Sequence, residues 1–507
     1  MDLHAGIIRH ILGPAWARWE RSPYLRHYRQ LRRAQYDSPG AIRAGQWRAL
    51  QAILAHAYET VPYYRDGWKE AGVKPAHIQS FDDFQQIPIL TKSDIRAHGS
   101  DLLSYSFNSS ELIRKKTSGS TGVSLEIFLD EDSRQWKRAC VLRCDEWTGW
   151  RFGEPVAKVW GNPEYRSRGL RGWLRNTLLD REFYLDTLHM DEAALDRFVK
   201  LLLKKRPTLI FGHAHSVYLL AQYLKSKSEV RNPERITKTR KNESPKAKFR
   251  LFSLSAFRDS LASGDLDFGL RYRPKGIITT AMVLHSWQRR TIEQVFDCPV
   301  TNRYGCEEVS LIACECEQHQ GLHVNTDSVF AEILCPDDTG GLTRPACPGE
   351  SGSIVVTDLT NRAMPIIRYQ VGDMAVASDR ICPCGRGSPL LERIEGREAD
   401  YVLTTEGELI SGISLTENFA LQVPGVVQFQ IIQETLDRFR FRIVRGREFG
   451  PGSLERLDAL VTRHFGSEVE YRCEYLDHIP PEASGKFRFC ISRVPNPFTH
   501  RQEVVAA

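Results

Sequence analysis

Apolar residues recur with two different periods along the chain, and the changes of period predict the order of its elements. Residues 50–72 and 192–205 carry apolar side chains at helical spacing. From about residue 125, short runs rich in β-branched residues alternate with longer helical patterns. These runs read LEIFL, VAKVWG, PTLIFG, KGIITTA and CPVTNRYG. Strands that alternate with helices are typical of α/β layers with a largely parallel sheet.

The pattern changes again towards the C-terminus. Strand-like runs dominate from about residue 350, and the last hundred residues mix the runs VVQFQIIQE and RFRFRIV with one helical stretch, SLERLDALVTRHF. We therefore predict an α/β fold with mixed or parallel sheets in a large domain, residues 1–396, and a small α+β domain, residues 397–507. A chain of 507 residues is long enough for such a division.

A charged stretch interrupts the large domain at residues 224–249. It contains few apolar residues and many lysines, arginines and glutamates. Such a composition buries too little apolar surface to hold a fixed fold. We expect a mobile, charged insertion here.

The first 25 residues have apolar side chains at helical spacing, but Arg9 and His10 interrupt any signal-peptide core. We expect an amphipathic helix packed on the body of the protein, and the alternative is a helix that rests on a membrane surface. No apolar run approaches the roughly 18 to 20 residues of a transmembrane helix. The net charge of +6 is mild and dispersed, which argues against nucleic acid. We expect a soluble, cytoplasmic protein without a transmembrane segment.

A loop of small residues, TSGSTG at 117–122, lies between a basic run and a strand-like run. Glycines and hydroxyls at such a place form an ordinary turn, or they let backbone N–H groups and hydroxyls converge on phosphate oxygens. A Walker A loop is excluded, because Val123 stands where that motif requires lysine.

Five short segments, taken together, carry more information than any one of them. They are TSGSTG at 117–122, NRYGCEE at 302–308, RYQVGD at 368–373, IEGREAD at 394–400 and SGKFR at 484–488. In this order they resemble the phenylacetate-CoA ligase family of adenylate-forming enzymes, and within it the capsular-polysaccharide-associated branch. The resemblance implies an AMP-binding large domain, a mobile C-terminal domain, and ATP-dependent activation of a carboxylic acid with release of pyrophosphate.

The resemblance also implies roles for individual residues. The loop would close over the β- and γ-phosphates, Tyr304 would flank the adenine, and Asp373 would bind the ribose. Glu308 would hold Mg²⁺, although Glu307 departs from the family pattern and leaves open which carboxylate meets the metal. The loop residues are Thr117, Ser118, Gly119, Ser120, Thr121 and Gly122.

Two further positions would serve the mobile domain. Arg397 matches the hinge region, together with Asp400, and Lys486 matches the lysine that offsets charge as the α-phosphate is attacked. His213 and His215 follow a predicted strand and either line the acyl pocket, as the resemblance implies, or serve a structural purpose.

Cysteines and histidines form a second constellation of candidate ligands. The stretch CECEQHQGLH offers Cys314, Cys316, His319 and His323, and CPCG offers Cys382 and Cys384. A zinc knuckle takes four such ligands from two short segments. The resemblance points to Cys316, His323, Cys382 and Cys384 and to a structural site, with Cys314 and His319 as substitutes.

The expected cofactors are thus ATP, Mg²⁺ and a structural Zn²⁺. The acyl acceptor is left open among coenzyme A, a carrier-protein thiol and an amine, and a homodimer is a further open possibility. Two other functions are the transfer of AMP onto another acceptor and a non-catalytic nucleotide-binding role in surface-polysaccharide biosynthesis.

Overall fold

The structure is a computed structural model, and it divides the chain into two compact units. Unit 1 comprises Met1–Glu154, Gly169–Arg181 and Thr301–Glu395, and unit 2 comprises Pro155–Arg168, Glu182–Val300 and Gly396–Ala507. The residues that it describes are 2–116, 125–160, 170–187, 190, 192–231, 272–337, 341–397, 401–405, 409–411, 415, 422–480 and 488–494.

Helices form most of the N-terminal part of unit 1, and several begin at capping residues that the sequence supplies. Ser38 accepts a hydrogen bond from the N–H of Ala41 at the start of one helix, and Thr91 and Asp94 form a capping box at another. The α-helices of this unit are α1 (Leu3–Ile7), α2 (Gly13–Trp19), α3 (Tyr24–Ala34), α4 (Pro39–Thr60), α5 (Pro62–Glu70), α6 (Phe81–Phe84), α7 (Lys92–Ala97), α8 (Glu131–Asp145) and α9 (Leu170–Arg175). One π-helical turn, Ile8–Leu12, joins α1 to α2, and another, Asn176–Asp180, follows α9. Short 3-10 helices occupy Pro75–His77, Ser109–Glu111 and Glu146–Thr148.

The strands of unit 1 form an antiparallel hairpin and a large sheet. The hairpin pairs β1 (Ile113–Lys116) with β2 (Glu126–Leu129). The next four strands along the chain, β3 (Val156–Trp160), β4 (Glu182–Asp186), β5 (Leu209–His213) and β6 (Gly276–Thr280), belong to unit 2. The sheet consists of β7 (Val300–Cys306), β8 (Ser310–Glu315), β9 (Leu322–Val324), β10 (Val329–Pro336), β11 (Leu342–Pro345), β12 (Ser351–Asp358), β13 (Tyr369–Ala377) and β14 (Leu390–Arg397). Their order across it is β11-β10-β12-β13-β14-β9-β8-β7.

The first sheet of unit 2 is parallel, with the order β6-β5-β3-β4. Its strands are β3 (Val156–Trp160), β4 (Glu182–Asp186), β5 (Leu209–His213) and β6 (Gly276–Thr280). Its helices are α10 (Glu192–Lys205), α11 (Ala214–Arg231) and α12 (Ser286–Phe296). Buried aliphatic and aromatic residues of these strands and helices form one core, because the parallel strands are covered by helices.

The C-terminal part of unit 2 has a separate core around a four-stranded sheet of order β19-β18-β17-β20. The elements are β15 (Tyr401–Leu403), β16 (Leu409–Ser411), β17 (Val426–Gln433), β18 (Arg438–Arg445), α13 (Pro451–Phe465), β19 (Glu470–Leu476) and β20 (Cys490–Ser492). The apolar face of α13 packs into this core through residues such as Leu457 and Leu460. The small α+β region predicted from the sequence is present.

The predicted fold class is confirmed, and each of the five β-rich runs contains a strand. The prediction of parallel pairing holds for β3 to β6. It is wrong for the run LEIFL, which forms β2 and pairs antiparallel with β1, and the run CPVTNRYG forms β7, which pairs antiparallel with β8. One division between the units falls between Glu395 and Gly396, next to the predicted boundary. The assignment of residues 1–396 and 397–507 to two domains otherwise stays a prediction.

The predicted insertion at 224–249 begins too early. Helix α11 continues to Arg231, Leu224 is buried in the core of unit 2, and the Lys227 ammonium lies 3.0 Å from Glu192. Lysine and glutamate have high helix propensity, so they extend a helix whose preceding turn is already packed in a core. The rest of the stretch, residues 232–249, lies outside the described residues. Within the described part of the chain, no helix is long and apolar enough to cross a membrane.

Candidate functional site

The turn between β7 and β8 presents two neighbouring carboxylates in different surroundings. The ladder is irregular between Tyr304 and Gly305, and a Cβ at Gly305 would lie 2.3 Å from the carbonyl oxygen of Ser310. Only glycine permits this approach. Within the turn, the Glu308 side chain is buried, whereas the Glu307 side chain is more than half exposed.

Two tyrosines link β7 and the turn that follows it to β13 reciprocally. The hydroxyl of Tyr304, on β7, donates to Oδ2 of Asp373 on β13 at 2.8 Å. The hydroxyl of Tyr369, on β13, donates to Oε1 of Glu308 at 2.8 Å. Burial, reinforced by these carboxylates, raises the pKa of both phenols well above the usual range, so both act as neutral donors.

A cation approaches the same turn from β1. The Lys115 ammonium lies 3.4 Å from Oγ of Ser310 and 3.9 Å from Oε2 of Glu307. Burial lowers its pKa, and Glu307 opposes that shift. The preceding residue, Arg114, is more exposed and pairs with Glu126 across the hairpin. Lys115 therefore brings positive charge to the turn that carries Glu308, two residues before the small-residue loop begins.

A buried arginine holds the start of β13. The Arg368 guanidinium donates twice to the Glu332 carboxylate, at 3.1 and 3.0 Å, and to the carbonyl oxygens of Gln85 and Ile87, at 2.6 Å each. Its backbone lies in the left-handed region, with φ of 48°. These bonds fix the residue immediately before Tyr369.

The residues expected at the site belong only in part to the described residues. The loop residues Thr117–Gly122 lie outside the described residues, and so do Asp400 and Lys486. Arg397 is the last residue of β14, and only its backbone is described. Of the expected nucleotide residues, the structure brings together Tyr304, Asp373 and Glu308.

A second cluster, also in unit 1, contains the four ligands to which the family resemblance pointed. One ligand atom from each of Cys316, His323, Cys382 and Cys384 lies within 4.8 Å of all the others. The sulfurs of Cys316 and Cys382 are 3.6 Å apart, and Cys384 Sγ is 3.3 Å from Nε2 of His323. A tetrahedral zinc with Zn–S bonds of about 2.3 Å separates its ligand atoms by roughly 3.5 to 3.8 Å. These four side chains therefore fit a zinc ion.

The surroundings of this cluster orient its ligands. Nδ1 of His323 lies 3.0 Å from Oγ of Ser388, and burial lowers the pKa of His323 to about 4, which keeps the ring neutral with Nε2 towards the sulfurs. Burial raises the pKa of Cys316 to about 12. Burial acts in the same direction on Cys384, but the backbone N–H and side chain of Arg386 outweigh it and lower its pKa.

The two substitute ligands point to other partners. Cys314 is fully buried against Cys144 and Leu311, and Nδ1 of His319 lies 3.2 Å from Oε2 of Glu315. Among the described residues, the group that could hold a metal thus contains neither of them.

The two histidines of unit 2 occupy different environments. His213 ends β5 and packs against Trp160 with ring centroids 4.1 Å apart. His215, in the first turn of α11, has its Nδ1 3.3 Å from the side-chain amide nitrogen of Gln288. Burial lowers the pKa of His215 to about 4. A role for either residue in an acyl pocket stays a prediction.

Sequence reasoning missed two contributors to the site, Tyr369 and Lys115. Tyr369 lies inside the segment RYQVGD, but its bond to Glu308 joins residues 61 positions apart and has no local signature. Lys115 belongs to the basic run IRKK, whose side chains alternate across β1. The alternation signals that Arg114 and Lys115 face opposite ways, and it does not say which faces the site.

The chain is similar to known proteins over most of its length. A profile of the CapK C-terminal domain matches residues 402–493. Protein CapK of Staphylococcus aureus is 21% identical over 416 residues, 81% of this chain and 81% of that protein. Phenylacetate-coenzyme A ligase of Thermus thermophilus is 25% identical over 420 residues, 79% of this chain and 81% of that protein.

The same likeness is found among solved structures. A crystal structure of 2-hydroxyisobutyryl-CoA ligase, in the postadenylation state and in complex with R3-HIB-AMP, matches with a TM-score of 0.67 at 20% identity. The match covers 91% of each chain. The likeness is therefore not confined to one motif or one unit. The chain is thus similar to phenylacetate-CoA ligases and to CapK over about four fifths of its length, in line with the resemblance that the five motifs indicated, and its fold is like that of 2-hydroxyisobutyryl-CoA ligase.

Proposed function

We propose that the chain uses ATP to activate a carboxylic acid as an acyl or aryl adenylate and then transfers the acyl group to the thiol of coenzyme A. The observation that carries the proposal is the reciprocal linkage of Tyr304 to Asp373 and of Tyr369 to Glu308. It holds two carboxylates in fixed positions on neighbouring parts of one unit. The names of the relatives, phenylacetate-CoA ligase and 2-hydroxyisobutyryl-CoA ligase, support the acid and thiol classes.

The first step joins the acid to AMP. An oxygen of the substrate carboxylate attacks the α-phosphorus of ATP, the bond from phosphorus to the bridging oxygen breaks, and pyrophosphate leaves with the electron pair. In the second step the thiol sulfur attacks the acyl carbon and AMP leaves. Positioning and charge neutralisation supply most of the rate enhancement in such chemistry.

The residues of unit 1 suit the nucleotide in this scheme. Tyr304 fixes Asp373 through Oδ2, and we assign Oδ1 to a ribose hydroxyl. Glu308 is the better Mg²⁺ ligand of the two adjacent acids, because Tyr369 holds its carboxylate in one orientation while Glu307 faces Lys115. Mg²⁺ would supply charge neutralisation on the phosphates. Lys115 adds a cation on the phosphate side, and Lys486 on the C-terminal region would offset charge at the α-phosphorus.

The test is pyrophosphate release from ATP with a panel of aromatic, aliphatic and 2-hydroxy carboxylic acids, with and without coenzyme A. We expect release with at least one acid, and acyl-CoA when coenzyme A is present. Adenylate that accumulates beside coenzyme A would favour a carrier thiol or an amine as acceptor. AMP transfer without any acid, or no release with every acid, would overturn the proposal in favour of nucleotidyl transfer or a non-catalytic role.

Paired substitutions test the assignment of the two acids. Glu308→Gln should lower the rate of adenylate formation about a hundredfold. Glu307→Gln should lower it far less, because this carboxylate is exposed and lies nearly 4 Å from its partner. A larger loss at Glu307 would reassign the metal ligand.

We also propose that Cys316, His323, Cys382 and Cys384 hold one structural zinc ion, with all four positions filled by protein. A closed site of this kind stabilises the fold and leaves no open position for chemistry. Metal analysis of protein purified without added zinc should find about one zinc per chain. The double substitution of Cys382 and Cys384 by serine should abolish it, whereas the control Cys314→Ser should retain it. Metal content near zero, or loss in the control alone, would contradict this ligand set.

A further inference from the structure

The N-terminal helical segment, α1 to α2, buries one face and exposes the other. Ala5, Ile8 and Ala17 are buried, whereas Leu3, Ile7 and Ile11 are exposed to 82%, 47% and 61%. Side chains four positions apart lie on one face of a helix. The exposed residues therefore form an apolar row that points away from the body of unit 1.

A second segment adds to this row. In α9, Leu170 and Trp173 are exposed to 73% and 62%, and Leu178 in the following π turn is also exposed. This π turn packs against the π turn of the N-terminal segment, and Arg181 binds Asp2 at 2.6 Å. The two exposed rows therefore belong to neighbouring segments. We call Leu3, Ile7, Ile11, Leu170, Trp173 and Leu178 the apolar surface.

Positive charge is concentrated in the segments that carry or adjoin the apolar surface. Residues 1–35 contain seven arginines and two acidic residues, and residues 170–181 contain three arginines and one acidic residue. The first segment has an excess of five positive charges and the second an excess of two, and their sum exceeds the net charge of +6 of the whole chain. Two of the three acids, Asp2 and Asp180, are already paired with Arg181 and Arg175. The remaining part of the protein carries no net positive charge.

The combination of large apolar side chains and arginine selects one kind of partner. Two copies of the chain that met through this surface would bring arginine against arginine, which is unfavourable. An interfacial helix in a bilayer places leucine, isoleucine and tryptophan among the acyl chains, while arginines meet anionic headgroups. We propose that the apolar surface docks this protein on an anionic lipid bilayer as a peripheral protein.

The test uses the full chain and lipid vesicles in a flotation assay. The protein should float with vesicles of phosphatidylcholine containing about a third of phosphatidylglycerol and should float much less with phosphatidylcholine alone. Raising NaCl from about 0.1 to 0.5 M should weaken the binding, since salt screens the arginines. The triple substitution of Leu3, Ile7 and Ile11 by serine should lower the vesicle partition coefficient about tenfold or more.

A matched control removes an exposed apolar residue elsewhere. Leu436, in the turn between β17 and β18, is 43% exposed, and Leu436→Ser should bind vesicles like the unchanged protein. Circular dichroism checks that each variant is folded, which we expect because the substituted side chains face solvent. Absence of binding to the anionic vesicles, or equal binding by the triple variant, would overturn the proposal. A dimer that the triple variant dissociates in sedimentation velocity would assign the surface to a second copy instead.

Discussion

Replacing Arg368 by methionine removes the guanidinium that anchors the start of β13. Arg368 is buried, and its four hydrogen bonds reach Glu332 and the carbonyl oxygens of Gln85 and Ile87. Methionine fills a similar volume but donates no hydrogen bond. The variant therefore leaves the buried Glu332 carboxylate without its cation and two carbonyl groups without their donor.

The size of the effect follows from burial. Breaking a buried ion pair by removing one partner costs about 3 to 5 kcal/mol, most of it from the stranded charge. At a urea slope of about 3 kcal/mol per molar, the unfolding midpoint of unit 1 should fall by about 1 to 2 M. Burial already raises the pKa of Glu332, against the effect of Arg368. Without the arginine the carboxyl takes up a proton more readily, so the loss should be smaller at pH 5 than at pH 8.

Two comparisons decide whether this reasoning is correct. Glu332→Gln added to the Arg368 variant should recover about 1 to 3 kcal/mol, because the stranded charge is gone. Arg344 makes the same bidentate contact with Glu350 at the surface, and Arg344→Met should leave the urea midpoint unchanged, since exposed pairs contribute little. Urea unfolding followed by tryptophan fluorescence measures all four proteins. Equal losses at Arg344 and Arg368, or no recovery in the double variant, would refute the account.

Three further predictions concern single side chains. Lys115→Met should raise the KM for ATP about tenfold in pyrophosphate release, while Arg114→Met, on the opposite face of β1, should not. Equal effects of the two substitutions would contradict the assignment of Lys115 to the phosphates. Because burial lowers the pKa of His215 from 6.5 to about 4, the unfolded chain binds a proton there that the folded chain does not, and stability should fall by about 3 kcal/mol as the pH drops from 6.5 to 4. His215→Gln should flatten that part of the pH profile of urea unfolding, and an unchanged slope would contradict the assignment. Lys486→Ala should slow adenylate formation about a hundredfold and leave transfer from a supplied acyl adenylate nearly intact; a variant that changes neither half-reaction would show that the lysine serves no such purpose.

The sequence predicted the strands well because each run is a local signal, and it predicted their pairing less well. The run CPVTNRYG contains β-branched residues, as do the runs that form the parallel strands β3, β5 and β6, but β7 is followed within a few residues by β8, and a short connection permits only antiparallel pairing. The direction of a strand depends on the length of the connection after it, which the composition of the strand does not contain.

The local sequence pattern does not decide which cysteines are the metal ligands. Cys314 and Cys316 are two positions apart, so an extended strand would place both on one face. Strand β8 ends at Glu315, and the chain leaves the sheet before Cys316. Cys314 therefore stays in the sheet against Cys144, while Cys316 turns towards Cys382. The spacing makes both cysteines candidate ligands, and the residue at which the strand ends determines which of them reaches the cluster.

The reciprocal tyrosine links have a mechanical consequence. A single hydrogen bond between two segments leaves them free to rotate about it. Two hydrogen bonds that run in opposite directions, from Tyr304 to Asp373 and from Tyr369 to Glu308, restrict both translation and rotation of one segment relative to the other. The two hydrogen bonds thereby hold both carboxylates in place from within the protein. Under the proposed function, changes elsewhere in the chain could alter which acid is bound without changing the spacing between Asp373 and Glu308.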